Sequence, residues 1–315
     1  MGADETMRVD RKWDSCEAVP RAPVASTSRR AVLGAALGIA ASQVGAGRAL
    51  AQAAPSADLI ARQLPLDAVG LEHIGTVVPD VTAAAEFFGR VFNPFVFKEQ
   101  QPPLRYYVTL DPGYIAIGSR DGENEAFIDH DCVMAESYDR AAMAARLEQE
   151  GLPAGRFGIM RDADNLGLQL LPIGGLAGST EPAGDIVAEP PLLRPRGIYR
   201  VVRRVSDLDA ARDFYRRFFG QPIDGGSASS AVWFAAGPTL FGLEQAVADE
   251  TPRIDRFCVN VSRGGYDAGA VAEALTALGA TVLDDGDTEI MHFRSPEGIG
   301  VELRPVDPAR MWGRT

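Results

Sequence analysis

The chain carries three histidines, His73, His130 and His292, and two of them occupy matching places in a sequence that repeats itself. Neutral imidazole is a good ligand for a divalent ion, and two imidazoles with one oxygen donor leave open positions on that ion for substrate or oxygen. His73 lies in Gly70-Leu71-Glu72-His73-Ile74-Gly75 and His130 in Ile128-Asp129-His130-Asp131-Cys132-Val133, both short runs with strand character. The matching residues of the second half are Arg200 and Arg256. Guanidinium groups keep their proton and repel a cation, so the first half is the candidate for metal and the second is not. His292, beside Phe293 where the first half has Ile159, is read as structural.

The repeat supplies the elements that must position these residues. Residues 70–81 run in register with 197–208, each a strand leading into a helix. Ala84, Phe87, Phe88, Arg90 and Phe92 correspond to Ala211, Phe214, Tyr215, Arg217 and Phe219. Aromatics three and four apart make one apolar helical face, and Asp80 and Asp207 stand as N-caps. Residues 128–133 align with 254–259, each ahead of an Ala-rich helix, 138–147 and 266–275, stopped by Gly151 and Gly279. A strand, a turn and a last strand follow, from Met160 to Leu170 and from Phe293 to Leu303. Four quarters, each a strand, a helix and two or three more strands, predict a mixed α+β protein. Two domains are expected at 66–173 and 196–306, with an N-terminal linker 52–65, a Gly/Pro-rich linker 174–195 and a tail 307–315.

Composition narrows the function classes. The 315 residues are 46% hydrophobic and 23% charged, an ordinary globular balance, and the net charge of −12 lacks the basic surface that nucleic acid requires. No G-x-G-x-x-G follows a strand and no G-x-x-x-x-G-K occurs, so nucleotide folds are not indicated. The N-terminus reads as an address. Ser28-Arg29-Arg30-Ala31-Val32-Leu33 opens a weakly apolar stretch closed by Ala49-Leu50-Ala51, a small-x-small cleavage site, with Arg48 just before it. This resembles a twin-arginine export signal, residues 1–51, and implies a periplasmic or secreted protein with no membrane span once the signal is removed. The alternative is an amphipathic helix that stays attached. Cys132 and Cys258, at matching repeat positions inside apolar runs, are expected as buried free thiols, with one disulfide in an oxidising compartment as the alternative.

The opening His73-Ile74-Gly75 with Val78-Pro79-Asp80 and Phe87-Phe88, and the closing Phe293-Arg294-Ser295-Pro296-Glu297-Gly298 with Val301-Glu302-Leu303, resemble the vicinal oxygen chelate superfamily. That superfamily includes glyoxalase I, extradiol dioxygenases and bleomycin-resistance proteins. The resemblance implies two tandem domains built from four βαβββ modules, each domain a curled mixed sheet around a cavity, with metal ligands on first and last strands. Carried over residue by residue, it gives His73, His130 and Gln169 as ligands of one divalent ion (Fe, Mn, Ni or Zn). At the sister positions stand Arg200, Arg256 and Glu302, expected to pair with one another or to hold an anionic substrate. Gln169 departs from the Glu usual in two-histidine sites, and Tyr114–Gly118 supplies no carboxylate. Asp129 or Asp131 could serve instead, although strand alternation turns both away from the side His130 faces. Alternation also sends one of Tyr106 and Tyr107 inward, and Tyr107 is carried forward as substrate-binding. The resemblance implies a metal-dependent enzyme acting on a small vicinal-oxygen substrate, most like an extradiol dioxygenase. A glyoxalase-type lyase or isomerase and a non-catalytic small-molecule binder are the alternatives, and a homodimer is a further expectation.

Overall fold

The computed structural model describes residues 54–92, 95–99, 103–152, 155, 158–173, 181–186, 190–223, 231–284 and 289–307. The expected export signal, and all but the first residue of the expected tail, lie outside them. A short helix α1 (Ala57–Ala61) precedes β1 (Ala68–Val77), α2 (Val81–Phe92), β2 (Val96–Glu99), β3 (Arg105–Thr109) and β4 (Tyr114–Gly118). Next come β5 (Phe127–Ala135), α3 (Arg140–Gln149), β6 (Ile159–Arg161), β7 (Gly167–Pro172) and β8 (Glu181–Pro182). The second half repeats the order with β9 (Pro195–Val205), α4 (Leu208–Phe219), β10 (Ala231–Ala236) and β11 (Thr239–Gln245). It ends with β12 (Arg253–Ser262), α5 (Ala268–Ala277), β13 (Thr281–Leu283), β14 (Met291–Arg294) and β15 (Gly300–Val306).

The protein is a mixed α+β structure, and the fifteen strands among its described residues join in one large curled sheet. Its first lobe has β1 and β5 antiparallel at the centre, with β4, β3 and β2 continuing beyond β1, and β7 and β6 beyond β5. The second lobe repeats this with β9 and β12 at the centre, flanked by β11 and β10 on one side and β15, β14 and β13 on the other. The first and last quarters are full βαβββ units. The middle two show two strands after the helix among the described residues.

Local chemistry explains the helices. Asp80, Asp139, Asp207 and Asp267 each accept a backbone N–H of the first turn at 2.9–3.0 Å, so all four helices that follow a long strand start on an aspartate cap. In α2 the buried side is Ala84, Ala85, Phe87, Phe88, Val91 and Phe92. In α4 Tyr215 and Phe218 are buried and Phe214 and Phe219 pack beside them. Cys132 and Cys258 are buried and form no disulfide.

Much of the segment read as a linker is laid onto the first lobe. Glu181–Pro182 pairs with β2, Ile186 and Leu193 are buried, and the N–H groups of Leu192 and Leu193 donate to the carbonyls of Arg90 and Val91. Likewise 52–65 contains α1, and its Gln63 and Leu64 are buried. Residues 53–315 form one compact unit.

What joins the lobes is polar as well as apolar. Ile254 of β12 bridges Ile128 of β5, and Phe87 meets Phe293 edge-on at 6.3 Å. Between them the fully buried Arg203 of β9 donates to Asp131 of β5, to the Gly167 carbonyl at 2.6 Å and to the Tyr215 hydroxyl at 2.6 Å. Its guanidinium also lies over the rings of Tyr215 and Phe241. Burial works against that charge, but Asp131 and Asp162 beside it outweigh burial and hold Arg203 protonated. No described helix is long and apolar enough to cross a membrane.

Candidate functional site

Two irregularities in the strands build the site. Across the β1–β5 pair the register runs Leu71↔Val133 then His73↔Cys132, so Glu72 is an extra residue in β1. Further along it runs Gly75↔His130 then Thr76↔Ile128, so Asp129 is an extra residue in β5. A bulge of this kind re-aims side chains that simple alternation would send to opposite faces. Asp129 therefore lines the same cavity as His130, contrary to the alternation reading that turned it away. Asp131 does go to the other face, where it meets Arg203.

Each bulged residue is a carboxylate held against the imidazole that follows it. His73 Nδ1 lies 3.0 Å from Glu72 Oε2, and His130 Nδ1 lies 2.9 Å from Asp129 Oδ2. A carboxylate takes the hydrogen of the nitrogen it faces, which leaves Nε2 of each ring with a lone pair. Those two Nε2 atoms are 3.2 Å apart. Two lone pairs at that distance repel unless a cation or a proton lies between them. The donor set therefore fits a divalent ion, and the buried Gln169 of β7, on the same cavity wall, is the adjacent oxygen donor. Burial, opposed by the Glu72 hydrogen bond and reinforced by His130, holds the His73 pKa below its usual value, which favours the neutral, ligating form.

Packing fixes both rings. Tyr114, the register partner of His73 on β4, stacks on its ring at 4.7 Å and 15°. Gly75 has no Cβ for a reason: one built there would lie 2.2 Å from Cε1 of His130, whose ring crosses β1 at that point. Gly167 is equally constrained, since a Cβ there would sit 2.6 Å from the Asp129 carbonyl oxygen and 2.8 Å from His130 Cβ. A second group, Glu72, His73 and Cys132, brings three ligand atoms within 4.8 Å of one another. Burial pushes the Cys132 thiol well above its ordinary pKa, and Glu72 Oε2 is already engaged by His73. The imidazole pair is the better-prepared set.

The cavity over these rings is about 770 Å³, within the range of small-molecule sites. Tyr107 lines it and donates from its hydroxyl to Glu99 Oε2 at 2.9 Å, while Tyr106 points to the other face and donates to Asp185. Burial first, then Glu99, pushes the Tyr107 phenol up to about 12. At the rim Arg120 and Arg161 both donate to Asp129 Oδ1, at 2.6 and 2.8 Å. Burial opposes the Asp129 charge, but His130, Arg161 and Arg120 together hold its carboxyl far below the usual range.

The structure brings His73, His130, Gln169 and Tyr107 to one cavity, and places Arg200, Arg256 and Glu302 elsewhere. Those three meet one another in the second lobe. Glu302, fully buried, accepts from Arg200 Nε through one oxygen and from Arg256 Nε through the other, both at 2.6 Å. Arg256 also donates to Glu244 at 2.6 Å and to Asp255 at 2.9 Å, and His292 Nε2 stands 3.4 Å from Glu302. As substrate-binding groups they are already spent on one another. Sequence reasoning passed over Glu72, Gly75 and the rim arginines, and turned Asp129 away from the cavity it lines. A signal was present, because each of His73 and His130 is preceded by an acid.

No protein-family profile matches the chain, and no curated protein matches it. Solved structures do. A catechol 2,3-dioxygenase superposes with a TM-score of 0.54 at 14% identity, over 78% of this chain and 96% of its own. The chain shares the fold of such dioxygenases. The 2,3-dioxygenase LapB from Pseudomonas sp. KL28 gives 0.55 at 14%, over 77% of this chain and 94% of that one. A variant of homoprotocatechuate 2,3-dioxygenase from B. fuscum gives 0.53 at 11%, over 77% and 73%.

Proposed function

We propose that this chain is a divalent-metal enzyme, most like an extradiol-type dioxygenase, whose ion is held in the first lobe by His73, His130 and Gln169. The observation that carries it is the pair of Nε2 atoms 3.2 Å apart, each imidazole backed by a carboxylate on Nδ1. The chemistry such an ion supplies is Lewis-acid polarisation of a carbonyl, enediolate or catecholate oxygen.

The chain's own residues do the rest. Glu72 and Asp129 hold the Nδ1 hydrogens and so fix the tautomer and aim of both rings. Tyr114 beneath His73 and Gly75 beneath His130 keep the rings in place. Tyr107, still protonated at neutral pH, and Glu99 form a proton-holding pair on the wall, with the hydrogen on the Tyr107 oxygen directed at Glu99 Oε2. Gln169 brings no charge. Two imidazoles and an amide would leave a bound ion both its positive charges for substrate, which supports glyoxalase-type isomerisation as the second reading.

Metal analysis tests the proposal. Protein purified as expressed is expected to hold about one divalent ion per chain, lost when His73 and His130 are both changed to Ala, with the fold kept by circular dichroism. A full complement in the double variant, or none in the parent after incubation with Mn(II), Fe(II), Ni(II) or Zn(II), returns the chain to the class of binders without turnover. Ring-cleavage absorbance with catechol as probe, against hemithioacetal isomerisation, separates the two enzymatic readings. We also infer export, supported by Arg29-Arg30, Arg48 and Ala49-Leu50-Ala51. Mass spectrometry of protein from the source cells is expected to find a mature N-terminus at Gln52.

A further inference from the structure

The cavity has more positive than negative side chains on its wall, in a protein whose net charge is −12. Arg105, Arg120 and Arg161 line it against two carboxylates, Glu99 and Asp129. Glu99 already accepts from Arg105 and Tyr107. Asp129 Oδ1 is shared by Arg120 and Arg161, so one carboxylate faces two guanidiniums. Arg161 is tied further to the carbonyls of Asp129 and Asn165. The Arg120 side chain makes only the one hydrogen bond among the described residues, is 45% exposed and rests on the Phe127 ring. Its remaining N–H donors form a fork suited to a planar anion. Asp129 also joins this corner to the imidazoles, since its other oxygen holds His130 Nδ1.

We propose that the substrate carries a carboxylate as well as its vicinal oxygens, and that Arg120, beside Arg161, receives it. The inference rests on the metal-enzyme reading for the position of the vicinal oxygens, but not for the anion site itself. An acidic surface broken by this local excess also steers anions toward the cavity mouth.

Calorimetry on the full chain loaded with Mn(II) tests it, with protocatechuate and its uncharged amide as probes of equal size, and benzoate as an acid without the diol. The acid is expected to bind about tenfold tighter than the amide, an advantage that shrinks with salt. Arg120→Gln is expected to abolish that advantage and Arg120→Lys to restore part of it, acid and amide being compared within each variant. Equal affinity of acid and amide, or an advantage untouched in Arg120→Gln, overturns the anion site, even where both diols bind and require the metal. Benzoate binding through Arg120 with no metal dependence for either diol upholds the anion site while the metal reading fails.

Discussion

The two lobes place the same backbone positions side by side and fill them with opposite chemistry. His73, His130 and Gln169 of the first stand where Arg200, Arg256 and Glu302 stand in the second: Cys132 pairs with Gln169 as Cys258 pairs with Glu302. The bulges recur too, with Asp255 extra in β12 as Asp129 is in β5, and Tyr199 extra in β9 as Glu72 is in β1. In the first lobe the central strands carry neutral donors beneath an open cavity. In the second, Glu244 replaces Gly118, and the arginines close on the carboxylates to make a plug. A shared scaffold therefore dictates where side chains converge, while their charge decides whether the convergence point is filled by the protein itself or left for a ligand.

The largest expected effect tests the plug. Glu302→Ala strands two half-buried guanidiniums and should cost about 3–5 kcal/mol in urea unfolding, whereas Gln169→Ala at the sister position should cost about 1 kcal/mol. Equal losses would break the contrast. Next comes Gly75, whose register partner is His130; its counterpart opposite Arg256 is the buried Val202. Gly75→Ala puts a methyl into the His130 ring and should weaken metal binding by about 10–100-fold with about 1–3 kcal/mol lost in stability. Val202→Ala should leave metal binding alone. The smallest effect is the acid limb of the stability curve. Burial opposes the Glu302 charge, but Arg200 and Arg256 prevail and lower its pKa. Its contribution is therefore complete above the unfolded carboxyl value of about 4.3 and lost as pH falls through the lower folded value. Glu302→Gln should flatten Tm against pH in that acid window, and Gln169→Ala should leave the slope as it is.

Much of this was legible from residue order. The repeat placed the strand and helix pairs, the aspartate caps followed from Asp80 and Asp207, and the mixed α+β class followed from the element order. Repeat position marks His73 and His130, and they line one cavity with Gln169 and Tyr107. Asp129 was misplaced because alternation assumes an unbroken pleat. A bulge is one extra residue and leaves no mark in composition. The segment 174–195 was read as a tether from its Gly and Pro content, yet its described parts are pinned by Val91, Arg90 and β2, contacts between residues far apart in the chain.

Sequence by itself determined which half could ligate a cation, because imidazole and amide can and guanidinium cannot, whatever the fold around them. It also determined the helix starts and the apolar faces, which are set by neighbours a few residues away. Only the tertiary structure decided that the two imidazoles point their Nε2 atoms at each other, that Asp129 turns inward and that Arg203 clasps Asp131 across the lobes. Those outcomes depend on strand register and on side chains brought together over many tens of residues, and a linear pattern carries no information about either.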